Sequence, residues 1–378
     1  MKPLRTLLSL FVLGGLLASA ELDAQVTYDR ILAADDEPEN WLTYNGNYSS
    51  QRHSGLEQIT RDNVDDLEMK WMLQNQTFGA WQSNPIVVDG IMYITERPND
   101  VMAVDAVTGR VFWLYRHTPS EDASVCCGAN NRGVAILGDK VFMGTLDARL
   151  IAIDAINGKP LWDIEVADVN LAYSITMAPL IIKDKVVVGV GGGEFGIRGF
   201  IAAYDAETGE EAWRFYTIPG PGEPGHDTWQ GDDWEHGGAP VWITGSYDPE
   251  LNLTYWGVGN PGPDWNAGQR PGDNLYSDSV VALDADEQDV RRRAAALESA
   301  SEHPIARAVA DAWTGGRVEV RDFVNHEGLG VTGEVDGERV VVGKAALLER
   351  EGLAVGDDVT GALETARLAN HGRHPTYT

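Results

Sequence analysis

The stretch Ala103-Val-Asp-Ala-Val-Thr-Gly-Arg-Val-Phe-Trp113 decides the fold, because its pattern A-x-D-x-x-T/N-G-x-x-x-W occurs three times. The second copy runs from Ala152 to Trp162 and the third from Ala203 to Trp213. Each copy follows alternating apolar residues, so the pattern predicts a strand, a tight turn shaped by Asp and Thr-Gly, and another strand. Each tryptophan can then pack between neighbouring sheets. Four-stranded units repeated in this way predict a β-propeller.

A fourth copy begins at Ala282-Leu-Asp-Ala-Asp286 and then stops, because Glu287 stands where Thr-Gly would continue. Composition changes at the same point, since eleven of the 12 tryptophans and all seven methionines precede residue 287. The sequence therefore predicts a mainly β, truncated propeller over residues 27–286. A separate domain is expected over residues 287–378.

The part after residue 286 predicts a small α/β domain, an antiparallel sheet flanked by helices. Apolar residues recur there at helical spacing, and Pro304 suits the first turn of a helix. The segment Gly333–Gly343 predicts a hairpin around Asp336-Gly337. Further helices are expected from about Lys344 and from about Asp358.

Length and charge restrict the class of protein. The chain of 378 residues has room for two domains and a sizeable core. Its formal net charge is −29, and a surface this acidic repels phosphate backbones. We therefore expect no nucleic-acid partner.

Residues 1–20 have the pattern of a secretory signal peptide. Lys2 and Arg5 precede an apolar run, and Ala18-Ser-Ala20 follows it. Cleavage after Ala20 or Ala24 would suit the pattern, and an uncleaved anchor is the alternative. No later stretch is apolar enough to cross a bilayer. The mature chain is predicted to be periplasmic and not an integral membrane protein.

The two cysteines, Cys126 and Cys127, are adjacent. Structural metal sites use cysteines that are spaced apart and usually four ligands, and no such set exists here. An oxidising compartment would allow the two to close a small, strained disulfide ring. A pair of idle thiols is the alternative.

Residues 27–286 resemble the pyrroloquinoline quinone (PQQ)-dependent alcohol dehydrogenases, the methanol and ethanol quinoproteins. The resemblance implies an eight-bladed propeller with PQQ near its axis and Ca²⁺, or a lanthanide ion, beside it. Besides the tryptophan repeat, it rests on Cys126-Cys127-Gly-Ala-Asn-Asn-Arg132, Gly191-Gly-Gly-Glu-Phe-Gly-Ile-Arg198-Gly, Gly237-Gly-Ala-Pro-Val-Trp242 and Gly257-Val-Gly-Asn260-Pro-Gly-Pro.

PQQ is a flat ortho-quinone with three carboxylates, so it needs stacking faces, cations and a metal. Trp242 would supply one face, and the oxidised Cys126–Cys127 ring the other. Arg132 can bind a carboxylate through two hydrogen bonds. The alternatives are a core tryptophan for Trp242 and a surface arginine for Arg132.

The resemblance also implies a metal site and further cofactor contacts. Glu194 and Asn260 are hard oxygen donors of the kind that Ca²⁺ accepts, and each follows a glycine-rich turn. The remaining cofactor positions implied by the resemblance are Glu96, Thr176, Gly192 and Gly193.

The chain departs from this family after Asp286. The family's catalytic Asp, the Arg that polarises the quinone and the later blades all follow the fourth repeat, and no residue here matches them. Ancestry implies a small alcohol substrate and a cytochrome c or quinone acceptor, but we expect this chain not to oxidise alcohols. A non-catalytic periplasmic binding or scaffold protein is the alternative. The open edge of the propeller is expected to cause self-association.

Residues 287–378 resemble the nucleotide-binding (N) domain of heavy-metal (copper/zinc) P-type ATPases. The resemblance rests on Ser301-Glu-His303-Pro304, Gly328-Leu-Gly330-Val-Thr-Gly333 and Val342-Gly343-Lys344. It implies ATP contacts at Glu298, His303, Gly328 and Gly330.

The match to an N domain is incomplete. His303 could instead be a residue at a helix start, and the glycines could form a hairpin turn. Lys344 stands where many relatives carry Asn. The pump's phosphorylation loop and membrane helices are missing, which excludes a transporter. Two fragments joined without a linker predict a fusion, which arose either by a genomic rearrangement or by a gene-prediction or assembly join. A cytosolic ATP-binding module is a further alternative for the function.

Overall fold

The computed structural model describes residues 26–75, 77–79, 81–286, 297, 299–300, 319–326, 329–335, 338–343 and 345–352. This part of the chain is mainly β, with eighteen strands in five antiparallel sheets. None of its helices is long and apolar enough to cross a membrane. The predicted signal peptide and the helices predicted around Pro304 and Asp358 lie outside the described residues.

Three sheets have four strands each, which pair antiparallel in chain order. They are β1–β4 (Ile86–Val88, Ile91–Glu96, Asp100–Asp105, Val111–Arg116), β5–β8 (Ala135–Leu137, Lys140–Gly144, Arg149–Asp154, Pro160–Glu165) and β9–β12 (Leu180–Ile182, Lys185–Gly189, Phe200–Asp205, Glu211–Tyr216). The fourth sheet contains β13 (Ser246–Asp248), β14 (Leu253–Gly257) and β15 (Val280–Asp284). The prediction of repeated four-stranded units is confirmed for the first three copies.

The turn of each repeat is built by its aspartate. The Asp105 carboxylate accepts hydrogen bonds from the N–H groups of Val107 and Thr108, at 2.8 and 3.1 Å. Asp154 and Asp205 make the same pair of bonds in their own turns. Because the side chain satisfies backbone donors inside the turn, the strands on either side can pair without a longer loop.

The tryptophans of the first two repeats pack on the next sheet. Trp113 Nε1 donates to the carbonyl of Ala155 at 2.9 Å, and Trp162 Nε1 donates to that of Ala206 at 3.3 Å. A Cβ at Gly158 would lie 2.7 Å from the ring of Trp113. The repeat glycine is therefore needed both for its turn, at φ +72°, and for the indole above it.

The N-terminal strap, residues 26–50, includes helix α1 (Tyr28–Leu32) and contacts all four sheets. Val26 bridges to the second sheet and Trp41 to the first. The Tyr48 hydroxyl donates to a β9 carbonyl at 2.7 Å, and the N–H of Tyr247 in β13 donates to the Tyr48 carbonyl at 3.2 Å. The strap thus joins sheets that are far apart along the chain.

The second part of the chain contains a three-stranded sheet with its own small core. Its strands are β16 (Val320–His326), β17 (Gly330–Val335) and β18 (Glu338–Gly343), and helix α2 (Ala345–Arg350) follows. Val331 and Val335 pack with Leu297. Val335 lies opposite Glu338, so the predicted hairpin and the helix near Lys344 are confirmed, although Asp336 and Gly337 themselves lie outside the described residues.

Candidate functional site

The candidate residues of the propeller lie in loops that leave the sheets at one end. In a sheet whose strands alternate in direction, the loops that follow the second and fourth strands leave at the same end. The loop β4–β5 carries Cys126, Cys127 and Arg132, and β8–β9 carries Thr176. Gly192, Gly193 and Glu194 follow β10, Trp242 precedes β13, and Asn260 follows β14. Topology alone therefore brings these residues to a common face.

Arg132, Thr176 and Trp242 form one contact group. Arg132 Nη1 donates to Thr176 Oγ1 at 2.8 Å, and its guanidinium carbon lies 5.0 Å from the ring centroid of Trp242. Burial lowers the pKa of Arg132, but an arginine keeps its charge in proteins. The Trp242 side chain is 46% exposed, so it is not a core tryptophan. The group presents a fixed cation beside an accessible aromatic face.

Cys126, Cys127 and Glu194 form a second group. Cys126 Sγ donates to Glu194 Oε1 at 3.1 Å, and the potential ligand atoms of the three residues all lie within 4.8 Å of one another. Burial is the largest cause that raises the pKa of the Cys126 thiol, and its contacts with Cys127 and Glu194 raise it further. The two sulfurs are not bonded to each other in this structure, so the disulfide stays a prediction.

Two glycines fix the backbone next to Glu194. Gly192 has φ +115°, and a Cβ there would lie 2.3 Å from the carbonyl oxygen of Ala172. A Cβ at Gly193 would lie 2.8 Å from Pro240. Any side chain would push this turn away from its neighbours, so the glycines let Glu194 lie close to the Pro240 segment.

Asn260 lies near the Glu194 turn through its backbone. A Cβ at Gly238 would lie 3.2 Å from the carbonyl oxygen of Asn260 and 3.3 Å from that of Gly193. The loops that carry Asn260 and Glu194 therefore both contact Gly238. The side-chain amide of Asn260 donates to Asp264 Oδ1 at 2.7 Å. The structure therefore joins the backbones that carry the two predicted metal ligands, while the Asn260 amide is engaged with Asp264.

Glu96 lies at the same end of the sheets, without a recorded contact to either group among the described residues. It is buried at the end of β2, where burial raises the pKa of its carboxyl and the nearby charge of Asp100 adds to the effect. Its side chain accepts a hydrogen bond from Asn75. In the described part of the chain, its recorded partners are strand neighbours and Asn75, not Arg132 or Trp242, so its role toward a cofactor stays a prediction.

Only one of the four predicted ATP-contact residues can be placed. Gly330 begins β17 with φ +144°, a conformation that favours glycine. Glu298, His303 and Gly328 lie outside the described residues.

Two further residues of this region make contacts that the sequence does not predict. The side-chain amide of Asn130 donates to the carbonyl of Cys127 at 2.9 Å, and its buried Oδ1 has no hydrogen-bond partner among the described residues. Arg198 lies over the rings of Tyr216 and Trp234, at 3.7 and 4.7 Å. Asn130 lies in the stretch Cys126–Arg132 and Arg198 in the stretch Gly191–Gly199, both of which the resemblance already uses. The residue types and positions alone do not predict these contacts.

Comparison with known proteins identifies the propeller part. Residues 41–291 match the family model for the PQQ glucose/ethanol/alcohol dehydrogenase β-propeller domain. The quinohemoprotein alcohol dehydrogenase ADH-IIG of Pseudomonas putida is 46% identical over 288 residues, which cover 71% of this chain and 40% of that protein. The lanthanide-dependent methanol dehydrogenase of Methylacidiphilum fumariolicum is 39% identical over 301 residues, or 73% of this chain and 48% of that protein.

A solved structure gives the same result. The quinohemoprotein alcohol dehydrogenase ADHIIG from Pseudomonas putida HK5 matches with a TM-score of 0.67 and 44% identity, over 71% of this chain and 42% of that one. The chain thus spans less than half the length of each of these relatives. The family match ends at residue 291, close to the boundary predicted at Asp286. The chain is therefore a member of the PQQ-dependent glucose/ethanol/alcohol dehydrogenase family, to which it belongs through this β-propeller domain.

Proposed function

We propose that the propeller part binds PQQ and a metal ion at the face formed by Arg132, Trp242 and Glu194, and that this chain alone does not oxidise alcohols. The observation that carries the proposal is the Arg132 group, in which a cation and an accessible indole from two different sheet connections meet. The family membership supports PQQ as the ligand.

The residues present fit a flat, anionic quinone. The exposed part of the Trp242 ring offers a stacking surface, and Arg132 offers donors to a carboxylate. Asn130 Oδ1, which has no hydrogen-bond partner among the described residues, is an acceptor that a bound molecule with a donor could satisfy. If the cysteines are joined after export, the Cys126–Cys127 ring would add an apolar surface beside Glu194.

The metal proposal rests on oxygen donors. Glu194 is exposed and lies in a turn that glycines hold against the Asn260 loop. Carboxylate and amide oxygens suit Ca²⁺, and lanthanide ions are hard cations of similar preference. A relative named as lanthanide-dependent supports a lanthanide ion as a candidate beside Ca²⁺.

Bound PQQ would supply a quinone that accepts two electrons from an alcohol. In this chain, Arg132 would hold a carboxylate of the cofactor and Trp242 would exclude water from one face. Glu194 would lose basicity beside a cation, so it would be a poor general base. A general base is worth about 10²–10⁴-fold in rate. The resemblance assigns that base to an Asp beyond the fourth repeat, which residues 287–378 do not match.

The first experiment measures PQQ binding. Equilibrium dialysis with Ca²⁺ or La³⁺ present should show saturable binding, and Arg132→Ala should weaken it about 10–100-fold, since a charged hydrogen bond contributes about 1.5–3 kcal/mol. The matched control is Arg110→Ala, an exposed arginine in a repeat turn that should change nothing. Equal affinity for the two variants would contradict the proposed cofactor site.

The second experiment separates binding from turnover. Dye reduction with methanol, ethanol and longer alcohols, in the presence of PQQ and metal, should stay at background. Alcohol-dependent reduction that disappears in Glu194→Ala would show that a working base exists. Binding without turnover also fits the alternative of a periplasmic binding or scaffold protein. The alcohol substrate and the cytochrome c or quinone acceptor are proposals that rest on the family membership alone.

A second candidate function, ATP binding by residues 287–378, rests on the N-domain resemblance. The described sheet β16–β18 supports it by having the antiparallel order that the resemblance implies. The positive φ of Gly330 at the start of β17 is compatible with close approach of a ligand to the backbone. Titration of the whole chain with ATP tests it.

A further inference from the structure

Residues 70–75 have the character of an outer propeller strand. In β4, Trp113 and Tyr115 are half-buried while Leu114 is exposed. Residues 70–75, which precede β1, repeat this alternation, because Trp71 and Leu73 are half-buried while Met72 is exposed. The same alternation recurs in β8 around Trp162. We call residues 70–75 the donor segment.

The donor segment docks on the first sheet as β4 docks on the second. Trp71 Nε1 donates to the carbonyl of Ala106 at 3.0 Å, and a Cβ at Gly109 would lie 2.6 Å from the Trp71 ring. These contacts match those of Trp113 with Ala155 and Gly158. The donor segment therefore occupies the place of the outer strand of a sheet that would precede the first one.

No strand pairs with the donor segment in the part of the chain that the structure describes. Met72 is 75% exposed, and Met69, which directly precedes the donor segment, is equally exposed. An extended segment with unpaired backbone groups and exposed apolar side chains is a template for another strand.

The fourth sheet shows the complementary feature. Within the described ranges it ends at β15, and Val280 on this strand is 73% exposed. In the complete sheets the third strand pairs with the outer strand in one register, which places Ala103 opposite Trp113, Ala152 opposite Trp162 and Ala203 opposite Trp213. Ala282 is the corresponding alanine of β15.

We propose that the donor segment of one chain completes the fourth sheet of a second copy, and that the second copy returns the same contact. The repeat register then sets Trp71 of each copy opposite Ala282 of the other, and Leu73 opposite Val280. The donor segment keeps its docking on its own first sheet, so neither chain has to rearrange. Because Trp71 is held at the first sheet, the segment is not placed to fill the edge of its own fourth sheet.

A second copy is favoured as the occupant because the described part of each chain carries both an outer strand without a pairing partner and an edge of matching register. Mutual exchange satisfies both features in a closed, two-fold pair, and closed pairs are the commonest protein assemblies. Each copy has a formal net charge of −29, so the association should strengthen as salt screens the repulsion. The inference does not depend on PQQ binding.

Sedimentation of the full chain is the first test. The mass should be twice the chain mass, and the dimer fraction should rise with salt. Trp71→Ala should lower that fraction, whereas Trp265→Ala, at a nearly fully exposed tryptophan, should leave it unchanged. A monomer at all concentrations and salt levels, or an assembly larger than a dimer, would overturn the proposal.

Disulfide trapping tests the register. With the native cysteines replaced by serine, Leu73→Cys combined with Val280→Cys should give an intermolecular disulfide, because directly opposite residues of paired strands have neighbouring Cβ atoms. Leu73→Cys combined with Ala282→Cys, a slip of two residues, should cross-link more slowly. A disulfide within one chain, or equal cross-linking rates for the two cysteine pairs, would refute the exchange. The sedimentation test uses the unmodified chain and so does not depend on whether these variants fold.

Discussion

Replacing Gly158 with alanine should destabilise the propeller through the tryptophan of the preceding sheet. Gly158 has φ +72°, a conformation that costs an L-residue about 1 kcal/mol. The new Cβ would also lie 2.7 Å from the Trp113 ring, and overpacking of this kind costs about 1–3 kcal/mol. The expected loss in the free energy of unfolding is therefore about 2–4 kcal/mol.

Gly90 provides a matched control for the backbone cost. Its φ is +80°, and no atom lies within 4 Å of the position of its Cβ. Gly90→Ala should therefore lose only about 1 kcal/mol. Urea unfolding followed by tryptophan fluorescence reports mainly on the propeller, since eleven of the 12 tryptophans precede residue 287. If both variants lose the same stability, the Trp113 ring moves aside freely and our account of the docking is wrong.

Three further predictions concern other parts of the chain. Burial alone would raise the pKa of Asp147, but hydrogen bonds from His117 and from neighbouring groups hold this pKa at about 2, below its usual 3.8. The ionised carboxylate therefore stabilises the fold by about 2 kcal/mol above pH 4. This contribution is lost as the pH falls toward 2. Asp147→Asn should lower stability at neutral pH and flatten the acid limb of the stability curve, and an unchanged slope would contradict this. Exported protein, alkylated without reductant, should carry no adduct on Cys126 or Cys127 in intact-mass analysis, and two adducts would exclude the disulfide. The whole chain should bind ATP with a Kd of roughly 0.1–10 mM, and His303→Gln should weaken the binding; no calorimetric signal at millimolar ATP would count against the N-domain interpretation.

The sequence predicted the parts of the fold that are set by local chemistry. Asp105 and its equivalents satisfy backbone donors within a few residues, so the turn can be inferred from sequence alone. The packing of Trp113 and Trp162 on the next sheet follows from the regular spacing of the copies. Trp71 docks in the same way but escaped the repeat pattern, because the alanine and aspartate of its copy do not precede it in the sequence.

The site was harder to predict because it is made by loops from different sheets. The residue types at Arg132 and Trp242 suggested a cation and an aromatic face, but only the sheet topology shows that they meet. Glu96 ends β2 on the same side of the sheets and hydrogen-bonds Asn75, so its role toward a cofactor stays a prediction. That Asn130 Oδ1 has no hydrogen-bond partner in the described part of the chain depends on its surroundings, which no local pattern encodes.

The N-terminal strap changes how the propeller should unfold. Repeated sheets that contact only their neighbours behave as a linear array, whose end units can fray while the middle stays folded. Here the strap contacts all four sheets, and the Tyr28 and Tyr247 hydroxyls hydrogen-bond at 3.4 Å across 219 residues of sequence. The first sheet cannot separate without losing its Trp41–Val87 pairing, nor the fourth without losing the bonds of Tyr247 to the strap. We therefore expect the strap to make unfolding cooperative, so that the four sheets lose their structure together.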